Sequence, residues 1–110
     1  MRKTVILLTA AASLVAAAAP ALAAERLTDA QYIRANRCLG LTEAKALGDA
    51  DATALKELIK GQRIGRHIFT GERADTARSE AKREASKASD TTKAALLEER
   101  DGPCKELAAS

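Results

Sequence analysis

Aromatic, histidine and cysteine side chains are scarce in this chain of 110 residues. It has no tryptophan, one tyrosine (Tyr32), one phenylalanine (Phe69) and one histidine (His67). Two aromatic rings offer little for stacking nucleobases or sugars. A zinc site would need two ligands beyond the two cysteines, and His67 is the only histidine. These shortages predict no metal, no other cofactor and no nucleic-acid partner.

Catalytic motifs are missing as well. The sequence has no G-x-S-x-G elbow, no glycine-rich phosphate loop, no H-E-x-x-H and no C-x-x-C-H. The carboxylates of Glu98 and Glu99 are adjacent in sequence, so on a helix they point to different faces and form no acid–base pair. We therefore predict that the protein is not an enzyme.

The first residues have the pattern of an export signal. A short basic start precedes an apolar run over residues 5–19, which ends at Pro20 and is followed by small residues. A basic start, an apolar run of this length and a small-x-small end are typical of a secretory signal peptide. We predict that residues 1–23 are the signal peptide, cleaved after Ala23 or, as the near alternative, after Ala24.

Removal of this segment leaves a single helical domain, residues 24–110, in the periplasm or outside the cell. The apolar run is shorter than the roughly 20 residues that span a bilayer, and no later segment is as apolar, so we expect no membrane span after cleavage. The exported domain has 16 basic and 15 acidic residues, a net charge of +1. Such a balanced charge gives no broad attraction to DNA, RNA or an anionic membrane.

Large apolar residues are few in the exported domain. There are 15 of them in 87 residues, and alanine supplies most of the remaining apolar content. A chain this small and this poor in bulky side chains barely offsets the entropy lost on folding. The large apolar residues are Leu27, Tyr32, Ile33, Leu39, Leu41, Leu47, Leu55, Leu58, Ile59, Ile64, Ile68, Phe69, Leu96, Leu97 and Leu107.

The two cysteines are expected to supply additional stability. Cys38 and Cys104 are the only cysteines, and an exported protein reaches an oxidising compartment. A bond between them would close a loop of about 66 residues, which is worth roughly 4 kcal/mol in the chain-entropy estimate. We predict this disulfide. A redox role is disfavoured because there is no C-x-x-C.

Helix formers dominate the exported domain. It has no valine and no alternating apolar run, so strands are disfavoured. Thr28 and Gln31 fit a capping box at the start of a first helix, which we expect to reach Leu47 and to stop at Gly48. Pro103 suits the first turn of a short terminal helix.

The middle of the domain permits two architectures. Apolar residues recur at helical spacing before Thr70-Gly71, where the pattern changes. A hairpin there gives four helices, the last long one capped at Ser89 or Asp90, whereas one continuous helix over residues 52–88 gives three. We favour the hairpin. The predicted fold is all-α, a small disulfide-pinned antiparallel helical bundle of three to four helices.

An alanine stripe follows the change of pattern, in a segment without large apolar side chains. The stripe would let a partner helix approach closely, and a disordered low-complexity segment is the rival interpretation. The alanine stripe consists of Ala74, Ala77, Ala81, Ala85 and Ala88.

A basic patch surrounds Phe69 and could bind an anionic group. Long basic side chains that cover a thin core would explain the same residues. The basic patch consists of Arg63, Arg66, His67 and Arg73.

Two resemblances add to these patterns. The stretch Leu27-Thr28-Asp29-Ala30-Gln31 resembles the LTxxQ motif of envelope-stress periplasmic chaperones, which are small, exported and all-helical and carry two copies where this chain has one. That resemblance implies ATP-independent binding of unfolded clients. The wider layout, with Tyr32, Cys38 and a late Gly102-Pro103-Cys104, resembles small uncharacterised exported two-cysteine helical proteins of Gram-negative bacteria. It implies no activity.

Three functions compete on these grounds. We expect an exported, non-enzymatic protein that binds another macromolecule of the cell envelope through helix faces. The alternative is a holdase-type chaperone whose partner is an unfolded client. The third is a binder of small anionic ligands that uses the basic patch.

Overall fold

A computed structural model of the protein describes residues 26–109. No strand occurs among these residues, and the predicted all-α fold is confirmed. Four helices of ten or more residues are followed by a short terminal one. The predicted signal peptide lies outside the described residues. The helices are α1 (Asp29–Glu43), α2 (Thr53–Gln62), α3 (Ile68–Lys87), α4 (Asp90–Asp101) and α5 (Pro103–Ala109), with a 3₁₀ turn at Lys45–Leu47.

The first three helices alternate in direction. The side-chain oxygen of Gln62, at the end of α2, accepts a hydrogen bond from the backbone N–H of Leu27 (3.0 Å), so α2 returns antiparallel to α1. At the start of α3, the Thr70 hydroxyl donates to Asp29 in the first turn of α1 (3.3 Å). Helices α1 and α3 therefore run parallel, and they share the most extensive helix contact of the domain.

Helices α1 and α3 approach each other closely where Gly40 faces the alanine stripe. A β-carbon built on Gly40 would lie 2.3 Å from the backbone oxygen of Arg78 and 2.9 Å from the β-carbon of Ala81. Ala74, Ala81 and Ala85 are buried. The partner helix of the alanine stripe is thus α1 of the same chain.

The core is thin and is closed by the disulfide. Cys38 on α1 and Cys104 on α5 are bonded, with their α-carbons 5.5 Å apart and both side chains buried. The predicted disulfide is confirmed, and it lies inside the core rather than at its edge. The buried cluster comprises Cys38, Leu39, Leu41, Ala44, Leu47, Leu55, Ala81, Ala85, Leu96 and Cys104.

The helix starts follow the predicted local signals. The Thr28 hydroxyl accepts from the N–H of Gln31 (3.1 Å), and the Gln31 side chain accepts from the N–H of Thr28 (2.9 Å), which completes the capping box. Ser89 caps α4 by accepting from the N–H of Thr92 (3.3 Å). Pro103 is the first residue of α5, as predicted.

The end of the first helix was predicted too late. Helix α1 ends at Glu43, and Ala44 takes an extended backbone. The chain then makes the 3₁₀ turn, whose last residue, Leu47, is buried in the core. Gly48, with φ of 87°, ends this tighter turn rather than α1.

The reversal between α2 and α3 also falls earlier than predicted. Two helices form, but the chain turns at residues 63–67, and Thr70-Gly71 lies within the first turns of α3. Gly65 adopts φ of 84°, a left-handed conformation that glycine takes without strain. His67 then starts α3, because its Nδ1 accepts a hydrogen bond from the N–H of Phe69 (3.1 Å).

Salt bridges join α1 to the charged faces of α3 and α4. The Arg37 guanidinium donates to Glu84 of α3 (3.0 Å) and to both carboxylate oxygens of Glu99 of α4 (2.8 and 3.0 Å). The hydrogen bonds to Glu99 are the main cause of the raised pKa of Arg37. At the far end of α1, Glu43 accepts two hydrogen bonds from Arg78 of α3 (2.8 and 2.7 Å).

Acid is expected to destabilise the fold through Glu43. Burial raises the pKa of Glu43, but the hydrogen bonds and charge of Arg78, with the charge of Lys82, outweigh burial and leave the pKa below its ordinary value. The ionised carboxylate therefore stabilises the fold above its unfolded-state pKa, and this stability is lost as pH falls through the lower folded-state pKa. We expect the melting temperature to hold down to about pH 5 and to fall below about pH 4.

Circular dichroism melts across this pH range test the prediction. Glu43→Gln should have a lower melting temperature than the wild type near neutral pH. Its melting temperature should also fall less on acidification. Glu57→Gln, at an exposed position on α2, is the matched control and should follow the wild type. An equal loss in the wild type and in Glu43→Gln would contradict the role of this carboxylate.

Candidate functional site

The exposed large apolar side chains of residues 26–109 lie together where α2 turns into α3. Ile64, Ile68 and Phe69 are 81%, 67% and 66% exposed. Gly65, with φ of 84°, lies within this segment between Ile64 and Ile68. We call residues 63–69 the hairpin tip.

Arg66 holds the hairpin tip against α1. Its side chain is only 6% exposed, and Nη1 lies 2.7 Å from an oxygen of Asp29. Nη2 donates to the carbonyl of Leu27 (2.8 Å), and Nε donates to the carbonyl of Gln62 (2.9 Å). The guanidinium also lies over the Tyr32 ring, 4.7 Å from its centre. A charged group, rather than Ile64 or Phe69, thus covers the only tyrosine.

The contacts of Arg66 also lower the pKa of a neighbouring carboxyl group. The hydrogen bond from Arg66 is the main cause of the lowered pKa of Asp29. The guanidinium is already committed to a carboxylate and to backbone carbonyls, so Arg66 is positioned as a structural residue. An anion at this place would have to compete with Asp29.

The rest of the basic patch divides between two surfaces. Arg63 and His67 line a cleft of about 460 Å³ between α1, α2 and α3, together with Arg66. Arg73 lines a separate shallow depression over α1 and α3. Glu72 lines both, so neither surface is purely basic. The structure therefore gathers three of the four predicted residues and leaves Arg73 apart.

Charge is nevertheless concentrated around the hairpin tip. Arg26 donates a hydrogen bond to the carbonyl of Ile64, which brings the start of the described chain to this end. Residues 26–30 and 60–72 together hold four basic and two acidic residues, a net charge of +2. Residues 24–110 as a whole carry only +1, so the remainder is at −1. The near-neutral total conceals this separation.

A larger cleft of about 670 Å³ lies at the opposite end of α1, with Cys104 on its wall. Its charged lining is mixed and includes Asp49, Asp51 and Arg100. Arg100 donates to the carbonyl of Leu47 (3.1 Å) and is held by the fold. This cleft therefore presents neither a uniform charge nor an exposed bulky apolar side chain.

The alanine stripe offers little free surface. Ala74, Ala81 and Ala85 are buried, and Ala77 and Ala88 are half-buried. Within the described part of the chain, no group of three or more His, Cys, Asp or Glu side chains is placed to hold a metal ion. No helix there is long and apolar enough to cross a bilayer.

Sequence reasoning missed the exposure of the hairpin tip, although a signal was present. In Arg63-Ile64-Gly65-Arg66 an isoleucine adjoins a glycine between two arginines. Glycine in such a setting often marks a turn, and a residue at a turn is seldom buried.

Comparisons with models of protein families, with curated proteins and with solved structures found no match for this chain. The hairpin tip is therefore assigned as the candidate site on its own geometry, exposure and charge.

Proposed function

We propose that the protein is an exported, non-enzymatic interaction module that docks onto another component of the cell envelope through its hairpin tip. The observation that carries this proposal is the joint exposure of Ile64, Ile68 and Phe69. Bulky apolar side chains grouped at one place on a small domain are typical of a binding surface.

The compartment is supported by the disulfide. The Cys38–Cys104 bond suits an oxidising environment, such as the periplasm or the cell exterior. The signal peptide predicted for residues 1–23 would deliver the chain there.

The hairpin tip is also built to bind without much rearrangement. Arg66 ties it to α1, and the His67 cap fixes the first turn of α3. The His67 and Phe69 rings stack with their centres 5.0 Å apart. A surface that is already ordered loses less conformational entropy on docking.

Cell fractionation tests the proposal. We expect the wild type to sediment with the envelope after gentle lysis of the source cells. A variant carrying Ile64→Ser, Ile68→Ser and Phe69→Ser should lose envelope association about tenfold or more, because three apolar side chains no longer contribute to binding. The readout is the ratio of sedimented to free protein.

A matched triple variant controls for general effects of serine substitution. Ala46, Ala94 and Ala95 are exposed and lie outside the hairpin tip, so their replacement by serine should leave the ratio unchanged. Both variants should keep the wild-type circular dichroism spectrum. Docking through the tip would be contradicted if the wild type stayed in the unsedimented fraction, or if the wild type and the tip variant sedimented equally.

An ATP-independent holdase is the second candidate, since the same exposed side chains could hold an unfolded client. We prefer docking to the envelope because basic residues flank the apolar ones at the tip. Unfolded clients in general share no negative charge that would use this arrangement, whereas a defined anionic surface would.

A further inference from the structure

We infer that the surface onto which the hairpin tip docks is an anionic phospholipid bilayer, with Ile64, Ile68 and Phe69 inserted at the level of the headgroups. This inference rests on the proposed function and specifies its partner. It concerns binding at the membrane surface and requires no span.

The form of the tip favours a fluid surface over a folded protein. Ile64 is exposed on the turn and Phe69 on the first turn of α3, and neither lines a cleft, whereas Ile68 lies at the edge of the cleft between α1, α2 and α3. A stable protein–protein interface usually covers about 800 Å² on each partner, which is more than three side chains at one turn can offer. A bilayer accepts projecting apolar side chains without a complementary shape, so a small apolar tip is enough to engage it.

The charges around the tip match an anionic headgroup layer. Arg63 adjoins Ile64, the side chain of Arg26 is bonded to the Ile64 carbonyl, and Lys60 lies at the end of α2. Exposed apolar side chains among basic ones are typical of segments that bind anionic membranes. A neutral bilayer would interact with the apolar side chains of the tip but gain nothing from its basic side chains.

The separation of charge would also orient the domain. The region of the tip carries +2 and the rest of the exported domain −1. An anionic surface therefore attracts the hairpin tip and repels the remainder, including Asp49 and Asp51 beyond the other end of α1. The whole-chain charge of the exported domain gives no hint of this preference, because the two regions nearly cancel.

Vesicle flotation with the purified, oxidised protein tests the inference. The probes are vesicles of phosphatidylcholine alone and vesicles in which about 30% of the lipid is phosphatidylglycerol. We expect binding to the anionic vesicles that is about tenfold or more tighter than binding to the neutral ones, and that weakens in about 0.5 M salt. Equal binding to both vesicles, or none to either, would overturn the inference.

Two charge reversals on α2 and at its end make a matched pair. Arg63→Glu and Lys56→Glu change the net charge equally, but Lys56 lies in the first half of α2, away from the tip. Arg63→Glu should weaken binding to anionic vesicles about tenfold or more, and Lys56→Glu less than about threefold. Equal effects would show general charge attraction rather than docking through the tip.

A fluorescent reporter checks insertion directly. The chain has no tryptophan, so Phe69→Trp introduces a single one at the tip. Its emission should shift to shorter wavelength with anionic vesicles and stay unchanged with neutral ones. An unshifted emission in the presence of bound vesicles would overturn insertion.

The cell fractionation and the vesicle assays separate two failures. If the triple serine variant loses its association with the envelope but the wild type does not bind anionic vesicles, docking through the tip stands and its partner is a protein. If the triple serine variant stays on the envelope, both the docking and the lipid inference fail.

Discussion

Replacing Cys38 and Cys104 with serine is expected to lower the free energy of unfolding by about 4 kcal/mol or more. The bond joins residues separated by 66 positions, so its loss frees a long loop in the unfolded chain. A domain of this size has a total stability of the same order. We therefore expect the double variant to be largely unfolded at 37 °C.

The thin core makes this effect larger than the loop entropy alone. Cys38 and Cys104 are, with Leu41, the largest fully buried side chains of the described residues. Serine at these positions would bury two hydroxyl groups among leucine and alanine side chains, which adds a desolvation cost. The cysteines thus serve both as a covalent link and as core residues.

Urea denaturation followed by circular dichroism measures the loss. Wild-type protein treated with reductant lacks the disulfide bond but keeps both sulfur atoms in the core. It therefore distinguishes the effect of losing the bond from the effect of burying serine hydroxyls. We expect the reduced wild type to lie between the oxidised wild type and the double serine variant. Coincident unfolding curves for all three would refute the stabilising role of the disulfide.

Gly40→Ala is expected to destabilise the protein by about 1–3 kcal/mol, the usual cost of overpacking. Helix propensity alone predicts the opposite, a gain of about 1 kcal/mol for alanine in a helix interior. The added β-carbon would lie 2.3 Å from the backbone oxygen of Arg78, and a backbone atom cannot swing aside as a flexible side chain can. Helices α1 and α3 would have to move apart, which exposes the alanine stripe.

Gly71→Ala is the matched control. Gly71 lies near the start of α3, and an added β-carbon there meets no atom within 4 Å. The propensity gain should then appear, and stability should rise by up to about 1 kcal/mol. We therefore expect the two substitutions to change stability in opposite directions, as measured by the midpoints of urea denaturation. A Gly40→Ala variant as stable as the wild type would show that the close approach of the helices is not required.

Features made by neighbouring residues were predictable. The capping box of Thr28 and Gln31 and the cap at Ser89 join groups within three residues of each other, so their geometry depends little on the rest of the fold. The disulfide was also predictable, because Cys38 and Cys104 can pair only with each other within one chain.

Contacts between distant residues were not predictable in this way. The role of Arg66 depends on Leu27 and Asp29, which lie 39 and 37 positions away. Because its guanidinium already contacts these groups, an anion at the predicted patch would have to compete with Asp29. Helix propensity disfavours glycine at position 40 inside α1, yet the missing side chain permits the contact with α3.

Composition, periodicity and capping signals determine that the chain is helical, because helices and caps form from groups a few positions apart. The presence of only two cysteines determines which residues the disulfide joins. Which apolar residues are buried depends on where the chain turns and which helices then meet. Early reversal at Gly65 leaves Ile64 and Phe69 in solvent, while small alanines fill the narrow space between α1 and α3. The candidate site therefore depends on tertiary packing, which decides where the chain turns and which apolar side chains stay exposed.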